Sequence, residues 1–247
     1  MPMLHTALTQ IIGAIGQADF PAVATNVLRR AIGFDLTAAV LHRRSAEAGL
    51  LFDDFEPAGH AQGIQNYVRF THRMNPMLAP VPARGAVRAS DFALRQSPRP
   101  LAGADRYLVW AQDEEMGFRT LGWPARCEEI GLYLAAWGGT VELSFYRARG
   151  RAALSPSCLR ELDAFALPVA AAFERHAAFQ PSAAAATRLS GREREVYALL
   201  IAGCSSEAIG LRLDISRHTV KDHRKRIFRK LRIGSLAELF ASTRYLN

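Results

Sequence analysis

Two segments, Leu-Ser-Gly-Arg-Glu-Arg-Glu-Val (189–196) and Ile-Ser-Arg-His-Thr-Val-Lys-Asp-His (215–223), indicate how the C-terminal part of the chain folds. In the first, Ser190 and Glu193 have the spacing of a capping box, in which two side chains cap the backbone at the start of a helix. In the second, Ser216 precedes apolar residues at helical spacing and therefore predicts an N-cap. Each segment is expected to begin a helix.

Between these segments the sequence predicts a second, shorter helix. Gly203 favours the end of the first helix, and Ser205 favours the start of the second. A turn at Asp214 and Ile215 then leads into a third helix. The residues expected to face inward are apolar, namely Val196, Leu199, Leu200, Ala208, Ile209, Leu213, Val220, Ile227 and Leu231. Two short helices followed by a basic one are typical of a helix-turn-helix that binds DNA.

The positive charge of the chain is concentrated in this C-terminal part. The whole chain has a net charge of +8, and residues 188–247 contain thirteen Lys and Arg against six Asp and Glu. All three lysines, Lys221, Lys225 and Lys230, lie within ten residues. Because a dense basic face binds the phosphate backbone of nucleic acids, we expect double-stranded DNA as a partner. The alternative is a solvated helix face that binds nothing.

The two capped segments, together with Ser-Glu-Ala-Ile (206–209) and Arg-Lys-Leu (229–231), closely resemble the helix-turn-helix of LuxR-type regulators. The resemblance covers nearly all of residues 188–247. It implies a four-helix module whose third helix enters the major groove of DNA. It also implies that the fourth helix, at 235–242, helps to pair two modules in a homodimer through Leu236, Leu239 and Phe240.

The positions that match the family imply roles for individual residues. Lys221, Asp222 and Lys225 would approach the edges of bases. The other candidates would contact phosphates or support the helix, and they are Ser216, Arg217, Thr219, His223, Arg224 and Arg229. Two interpretations of Asp222 stay open, because its carboxylate can accept from the amino group of cytosine or pair with Arg226 one turn further along.

A segment without charge or large apolar side chains separates this module from the rest of the chain. It runs from Gln180 to Thr187 and has the composition of a linker. We therefore predict an N-terminal sensor and dimerisation domain at 1–178, a linker at 179–187 and a DNA-binding domain at 188–247.

The N-terminal domain is predicted to be a mixed α/β module. Two helices are expected in the first 32 residues, with Asp19 capping the second. A long helix from Ser155 is expected to kink or break at Pro168. Alternating apolar residues predict a hairpin with its turn at Gly138-Gly139. The other predicted elements are strands at 36–42 and 49–53 and helices near 60–74 and 104–115.

These elements predict an α+β chain, with an N-terminal α/β/α sandwich around an antiparallel sheet and a C-terminal all-α module of four helices. The N-terminal arrangement resembles the PAS- and GAF-like folds that sensory domains of LuxR-type regulators have. The resemblance implies a quorum-sensing-like regulator whose N-terminal domain binds a small-molecule effector.

The domain that binds acyl-homoserine lactones in this family allows a closer comparison. Tyr67, Asn75-Pro76 and Gly117-Phe118 match its landmarks. However, Asn75 stands where the family has an Asp that binds the amide of the lactone, and no Trp precedes Trp110. We therefore expect an effector other than a standard acyl-homoserine lactone, with binding of DNA without any ligand as the alternative.

Aromatic side chains are candidates for lining a pocket, because ligand pockets are mainly apolar with a few oriented polar groups. The expected ligand-binding residues are Tyr67, Phe70, Asn75, Asp91, Trp110, Phe118 and Tyr133, with Trp123 and Trp137 as further aromatic candidates. Ordinary core packing is the alternative for the aromatic residues, and capping of a turn is the alternative for Asp91.

Other classes of protein are not favoured by the sequence. A phosphoacceptor receiver domain needs an acidic pair near its start and a lysine on a later strand, but the first 18 residues contain no carboxylate and no lysine precedes Lys221. No phosphate loop, nucleophile elbow or metal-ligand spacing predicts an enzyme, a cofactor or a metal. An enzyme-like sensory domain fused to the DNA-binding module is therefore the less favoured alternative. No run of about 18 apolar residues predicts a membrane span, and no export signal is recognisable, so a cytoplasmic protein is expected.

Overall fold

The computed structural model describes residues 2–43, 48–78, 85–93, 103–150, 152–179, 189–231 and 233–243. The chain forms two compact units, Met1–His176 and Ala177–Asn247. Residues 180–187 of the predicted linker lie outside the described residues, so the linker itself stays a prediction.

An antiparallel sheet forms the centre of the first unit. The strands are β1 (Leu36–His42), β2 (Gly49–Asp53), β3 (Gly85–Arg88), β4 (Leu108–Trp110), β5 (Phe118–Thr120), β6 (Cys127–Ala136) and β7 (Gly139–Ala148). Five of them pair in the order β2-β1-β7-β6-β3, while β4 and β5 form a separate two-stranded sheet. The central strand β7 therefore has a neighbour on each side.

Five α-helices accompany this sheet in the described part of the unit. They are α1 (Pro2–Gly13), α2 (Phe20–Ile32), α3 (Ala61–Asn66), α4 (Pro156–Ala164) and α5 (Ala166–Ala177). The last turn of α3 continues directly into a π-helix at Tyr67–Thr71 and a 3₁₀ turn at His72–Met74. Further 3₁₀ turns lie at Pro76–Leu78, Ala89–Phe92 and Asp105–Tyr107.

Helices α4 and α5 replace the single long helix from Ser155. The predicted break is confirmed, and it falls at Phe165, three residues before Pro168. The Ser155 hydroxyl caps α4 by accepting from the backbone N–H of Cys158. Asp19 occupies the N-cap position of α2, but its side chain makes no capping hydrogen bond there.

The predicted strands at 36–42 and 49–53 are confirmed, and so is the hairpin of β6 and β7. Its turn consists of Trp137 and Gly138, one residue earlier than expected. Both residues have positive φ angles, 58° and 70°, as a type I′ hairpin turn requires.

The predicted helix near 104–115 is wrong. After a short 3₁₀ turn, the chain enters β4, in which Trp110 pairs with Phe118 of β5. The Leu-Val-Trp sequence of β4 suits a strand, since aromatic and β-branched side chains pack well on a pleated surface. Trp110 therefore lies on a hairpin and not on a covering helix.

Both faces of the main sheet are covered. On one face Ala38 and Val40 of β1 pack with Ile64, Tyr67 and Trp123. The alternating residues of β1 and β7, which point to the other face, are also fully buried, and α2 contacts β1 and β2. The predicted α/β/α arrangement is confirmed.

Four helices form the second unit in its described part, which confirms the predicted all-α module. They are α6 (Gly191–Ile201), α7 (Ser206–Leu213), α8 (Arg217–Leu231) and α9 (Leu236–Thr243). Ser190 and Glu193 form the complete capping box of α6, and the Ser205 hydroxyl caps α7. Asp214, at the end of α7, adopts the left-handed conformation with φ 52°.

The turn between α7 and α8 depends on Gly210. A Cβ atom at this position would lie 2.7 Å from the carbonyl oxygen of Ile215, which is backbone and cannot rotate away. The absence of a side chain therefore allows α7 to approach the start of α8 closely.

Replacing Gly210 with Ala should destabilise the second unit by about 1–3 kcal/mol, the usual cost of overpacking a close contact. Far-UV circular dichroism during urea unfolding would measure this. Gly191→Ala is the matched control, since no atom lies within 4 Å of a Cβ there. Tryptophan fluorescence should be unchanged, because all three Trp residues are in the first unit. Equal stability of the two variants would contradict the argument.

Candidate DNA-binding surface and ligand cavity

The start of α8 is fixed by a local cap. The Ser216 hydroxyl accepts from the backbone N–H of Thr219 at 3.0 Å, and the two hydroxyl oxygens lie 2.8 Å apart. Both predicted DNA-binding hydroxyls therefore shape the N-terminus of the helix, where backbone N–H groups can also bind a phosphate.

The inner face of α8 is anchored in the apolar core of the module. Val220, Ile227 and Leu231 are buried and pack with residues of α6 and α7. This packing determines which side of the helix faces solvent.

The outer face of α8 carries a row of positive charge. Arg217, Lys221, Lys225 and Arg229 are all exposed and follow one another at intervals of four residues. At about 1.5 Å per residue the row extends over about 18 Å. We call these four residues the basic row. Its length and charge suit a helix that lies in the major groove and contacts phosphates on either side.

Three predicted residues of α8 remain, and all of them are half-buried, namely Asp222, His223 and Arg224. Asp222 lies 3.8 Å from the Nε2 atom of His218, and in the described part of the chain no ion pair joins it to Arg226. The intrahelical partner expected for Asp222 is therefore replaced by one a turn earlier. Arg224 is also half-buried, beside the basic row.

An ion pair links α8 to α6. Lys230 Nζ lies 2.5 Å from Glu193 Oε2, and the same oxygen accepts from the backbone N–H of Ser190 at 2.6 Å. The hydrogen bond from Lys230, with those from Ser190, lowers the pKa of Glu193 to about 2. One carboxylate thus caps α6 and holds the end of α8.

The fourth helix differs in part from what the family resemblance implies. Leu239 is fully buried in the core of its own module, and Leu236 packs against the same core. Leu239 is therefore not available to pair two modules. The side chain of Phe240 lies outside the described residues.

A buried carboxylate organises the first unit. Glu142 of β7 has no exposed surface. Its Oε2 atom accepts from the Tyr67 hydroxyl at 2.7 Å and lies 2.6 Å from Nε2 of His42. Its Oε1 atom accepts from Asn75 Nδ2 at 3.2 Å and from the Tyr133 hydroxyl at 3.3 Å. These residues form what we call the Glu142 network.

The network fixes the protonation of its tyrosines. Burial, and then the negative charge of Glu142, raise the pKa of both Tyr67 and Tyr133 well above their usual value. Both hydroxyls therefore stay protonated and donate to the carboxylate. Asn75 is fully engaged as a donor, because its Nδ2 also bonds Tyr67 Oη at 2.8 Å, while its Oδ1 accepts from the backbone N–H of Met77.

A cavity of about 50 Å³ lies beside this network. Four candidates for a pocket, Tyr67, Asn75, Phe118 and Trp123, line it, and so do Tyr146 and Glu129. By the volume that one water needs, it has room for about three to five water molecules.

The other predicted ligand residues lie elsewhere. Tyr133 is fully buried behind Asn75, to which it is hydrogen-bonded. Phe70 stacks on Tyr107 at 3.9 Å, and Trp110 packs on Phe118, and both are more than a third exposed. Asp91 is exposed in a 3₁₀ turn. Phe70, Trp110 and Asp91 are not among the described residues that line the cavity.

Glu142 and Glu129 are absent from the sequence-based prediction. In a strand with one wet face, Val141, Leu143 and Phe145 would point inward and the residues between them outward. The available signal was Glu142 itself, which stands between the apolar residues Val141 and Leu143. A glutamate in such a strand indicates a buried polar site only when both faces of the sheet are known to be covered.

The arrangement of the second unit, with a short helix, a tight turn and a basic helix anchored by its apolar face, defines a helix-turn-helix module. Residues 187–242 match the family described as bacterial regulatory proteins of the luxR family. The C-terminal module is therefore a LuxR-family helix-turn-helix domain.

A curated relative supports this assignment. The putative HTH-type transcriptional regulator in the exeN 3′ region of Aeromonas salmonicida is 55% identical over 53 residues. The match covers 22% of this chain and 27% of that protein, so it spans about a quarter of the relative's length.

Three solved structures are similar over longer stretches. Escherichia coli SdiA gives a TM-score of 0.43 at 16% identity, covering 99% of this chain and 100% of that one. SdiA in complex with octanoyl-rac-glycerol gives 0.42 at 14% identity, with 99% and 96% covered. The VqsR LBD domain from Pseudomonas aeruginosa gives 0.49 at 13% identity, with 72% and 98% covered.

Two further observations concern the described residues alone. No helix there is long and apolar enough to span a membrane. No group of three or more His, Cys, Asp or Glu side chains there is arranged to hold a metal ion.

The Glu193 ion pair should make the second unit sensitive to pH. Because the pKa of Glu193 falls from its usual 4.5 to about 2 on folding, its stabilisation is complete above pH 4.5 and disappears as the pH falls towards 2. Glu193→Gln should therefore cost about 1.5–3 kcal/mol at pH 7 and much less at pH 3. Urea unfolding followed by circular dichroism would measure this, with Glu195→Gln, on the exposed face of α6, as the control. A cost that does not change with pH would refute the role of the charge.

The Glu142 network should stabilise the first unit. Glu142→Gln keeps the size of the side chain but removes charge-assisted hydrogen bonds, which contribute about 1.5–3 kcal/mol each. We expect a lower urea midpoint by tryptophan fluorescence. Glu56→Gln, at an exposed residue of the same unit, should leave the midpoint unchanged. If both variants unfold at the same urea concentration as the natural protein, Glu142 does not support the fold.

Proposed function

We propose that the protein is a transcription regulator of the cytoplasm that binds operator DNA as a homodimer and responds to a small molecule in its N-terminal domain. The observation that carries the DNA-binding part is the basic row on α8. Its four cations are exposed together on one helix, and the family match covers that helix.

The proposed reading of DNA combines two kinds of contact. Lys221 and Lys225 lie in the middle of the basic row and approach base edges in the major groove, where Lys can donate to guanine. Arg217 and Arg229 lie at its ends and contact phosphates. Two modules in a homodimer would place their α8 helices at half-sites about one helical turn of DNA apart.

The cavity supports the sensory part of the proposal. Its lining includes the sheet residue Tyr146, Tyr67 after α3 and the segment around Trp123. A ligand that binds one arrangement of this unit more tightly than another would shift the population of that arrangement. Through the dimer, such a shift would change the affinity for the operator.

A regulator that binds DNA without any ligand is the second candidate. The size of the cavity favours it, since typical small-molecule sites have volumes of several hundred Å³ and this one encloses about 50 Å³. Operator binding by the ligand-free protein distinguishes the two, because the second candidate predicts full affinity.

Lys221→Ala and Lys225→Ala should each weaken operator binding by about 1–3 kcal/mol, which is roughly 5- to 150-fold. Fluorescence anisotropy with an operator selected from random DNA would measure this. Arg160→Ala removes an exposed cation from α4 and should leave affinity unchanged. The affinity of the natural protein should also fall steeply with salt. Loss of affinity in the Arg160 variant alone, or no salt dependence, would overturn the proposed surface.

A further inference from the structure

Aromatic rings surround the cavity of the first unit. The ring centroids of Tyr67 and Trp123 lie 5.2 Å apart, and those of Trp123 and Tyr146 lie 5.3 Å apart. All three rings line the cavity, and Phe118 adds a fourth. The faces of such rings carry negative potential and attract cations.

Carboxyl groups complete the walls. Glu114, Glu115 and Glu129 line the cavity, and Arg119 is the one cation among its described lining residues. Arg119 is itself paired within the protein. Its Nε lies 3.1 Å from Glu114 Oε1, and its Nη1 donates to the carbonyl of Trp123 at 3.1 Å. Arg119 is thus paired with Glu114, and no cation among the described lining residues is left for Glu115 or Glu129.

Most hydrogen-bond donors of the cavity are already engaged. Tyr67 donates to Glu142, Tyr146 donates to Glu129 Oε1 at 2.9 Å, and Asn75 donates within the Glu142 network. The hydroxyls of Thr71 and Thr120 bond each other at 2.7 Å. Because most of these donors are already used, the cavity favours a ligand that itself supplies donors or positive charge.

Glu129 is the acceptor that remains open. Glu129 is half-buried and lines the cavity, and no described residue donates to its Oε2 atom. Burial, and then Glu142, raise the pKa of Glu129 to about 8, with Tyr146 acting in the opposite direction and Glu115 adding to the rise. A cation beside Glu129 would stabilise its ionised form.

We propose that this cavity binds a small organic ammonium ion, with the positive group between the carboxylate of Glu129 and the rings of Tyr67, Trp123 and Tyr146. This combination of aromatic faces with a carboxylate is the chemistry that recognises ammonium groups. The volume of about 50 Å³ suits a compact head group and has no space for a long acyl chain. The inference rests on the proposed function in that this ammonium ion would be the effector.

Isothermal titration of the full-length protein with choline and ethanolamine tests the proposal. The matched control is 3,3-dimethyl-1-butanol, which has the shape of choline without its charge. We expect choline or ethanolamine to bind, and the neutral alcohol to bind at least about ten-fold more weakly, a difference of 1.4 kcal/mol. This comparison uses only the natural protein and does not depend on the folding of a variant.

Substitution of the carboxyl group adds a second readout. Glu129→Gln should weaken binding of the ammonium probes about ten-fold or more, whereas the exposed Glu56→Gln should not. Because Glu129 is largely protonated at pH 7 and ionises beside the cation, choline binding should release a proton and strengthen from pH 6 to pH 8. Titration in buffers of different ionisation enthalpy would detect that proton.

Two results would overturn the inference. One is binding of the alcohol as tightly as choline, and the other is no binding of either ammonium probe at millimolar concentration. If N-octanoyl-homoserine lactone then bound and changed operator affinity, the proposed function would stand with another ligand. If the protein failed to bind operator DNA while choline still bound, the proposed function would fail and the ammonium site would remain.

Discussion

The buried carboxylate of Glu142 is the interaction on which the first unit depends. A charge without exposed surface is costly unless its oxygens are hydrogen-bonded, and here each oxygen has two partners. These partners come from β1, from the segment after α3 and from β6. One residue on the central strand thereby connects the sheet to the segment that covers it, and it also orients Tyr67 and Asn75 at the wall of the cavity.

In the second unit, apolar packing holds the DNA-binding helix α8 in place. Its core consists of apolar side chains, among them Val196, Ile227 and Leu231. Burial of the apolar face of α8 in this core fixes the orientation of the helix. The Glu193 carboxylate also ties the end of α8 to α6, since it accepts hydrogen bonds both from Ser190 at the start of α6 and from Lys230 near the end of α8. Such a helix can expose several cations along one side, because its attachment to the module does not depend on that side.

Local signals explain which elements could be predicted from the sequence. The caps at Ser155, Ser190 and Ser205 act between residues close in sequence, so their spacing was sufficient. The predicted helix near 104–115 was wrong because β4 is stabilised by pairing with β5. Such pairing between strands is not visible in one segment of sequence. The assignment of Leu239 to a dimer contact failed because its side chain packs in the core of its own module, and that orientation is not visible in one segment. The cavity requires contacts between residues far apart in sequence, such as Asn75 and Glu142, so of the residues expected at a pocket only Tyr67, Asn75, Phe118 and Trp123 line it.

The π-helix at Tyr67–Thr71 has a consequence for comparisons between sequences. A π-helix holds one more residue in its hydrogen-bonded turn than an α-helix, so a relative with a regular α-helix here would be one residue shorter. Aligned without a gap, every residue beyond Thr71 would be matched to the neighbour of its true counterpart. Asn75 lies in that part of the chain. Superposed backbones, with a one-residue gap allowed at Tyr67–Thr71, therefore decide whether Asn75 is equivalent to the acidic residue of the lactone-binding domains.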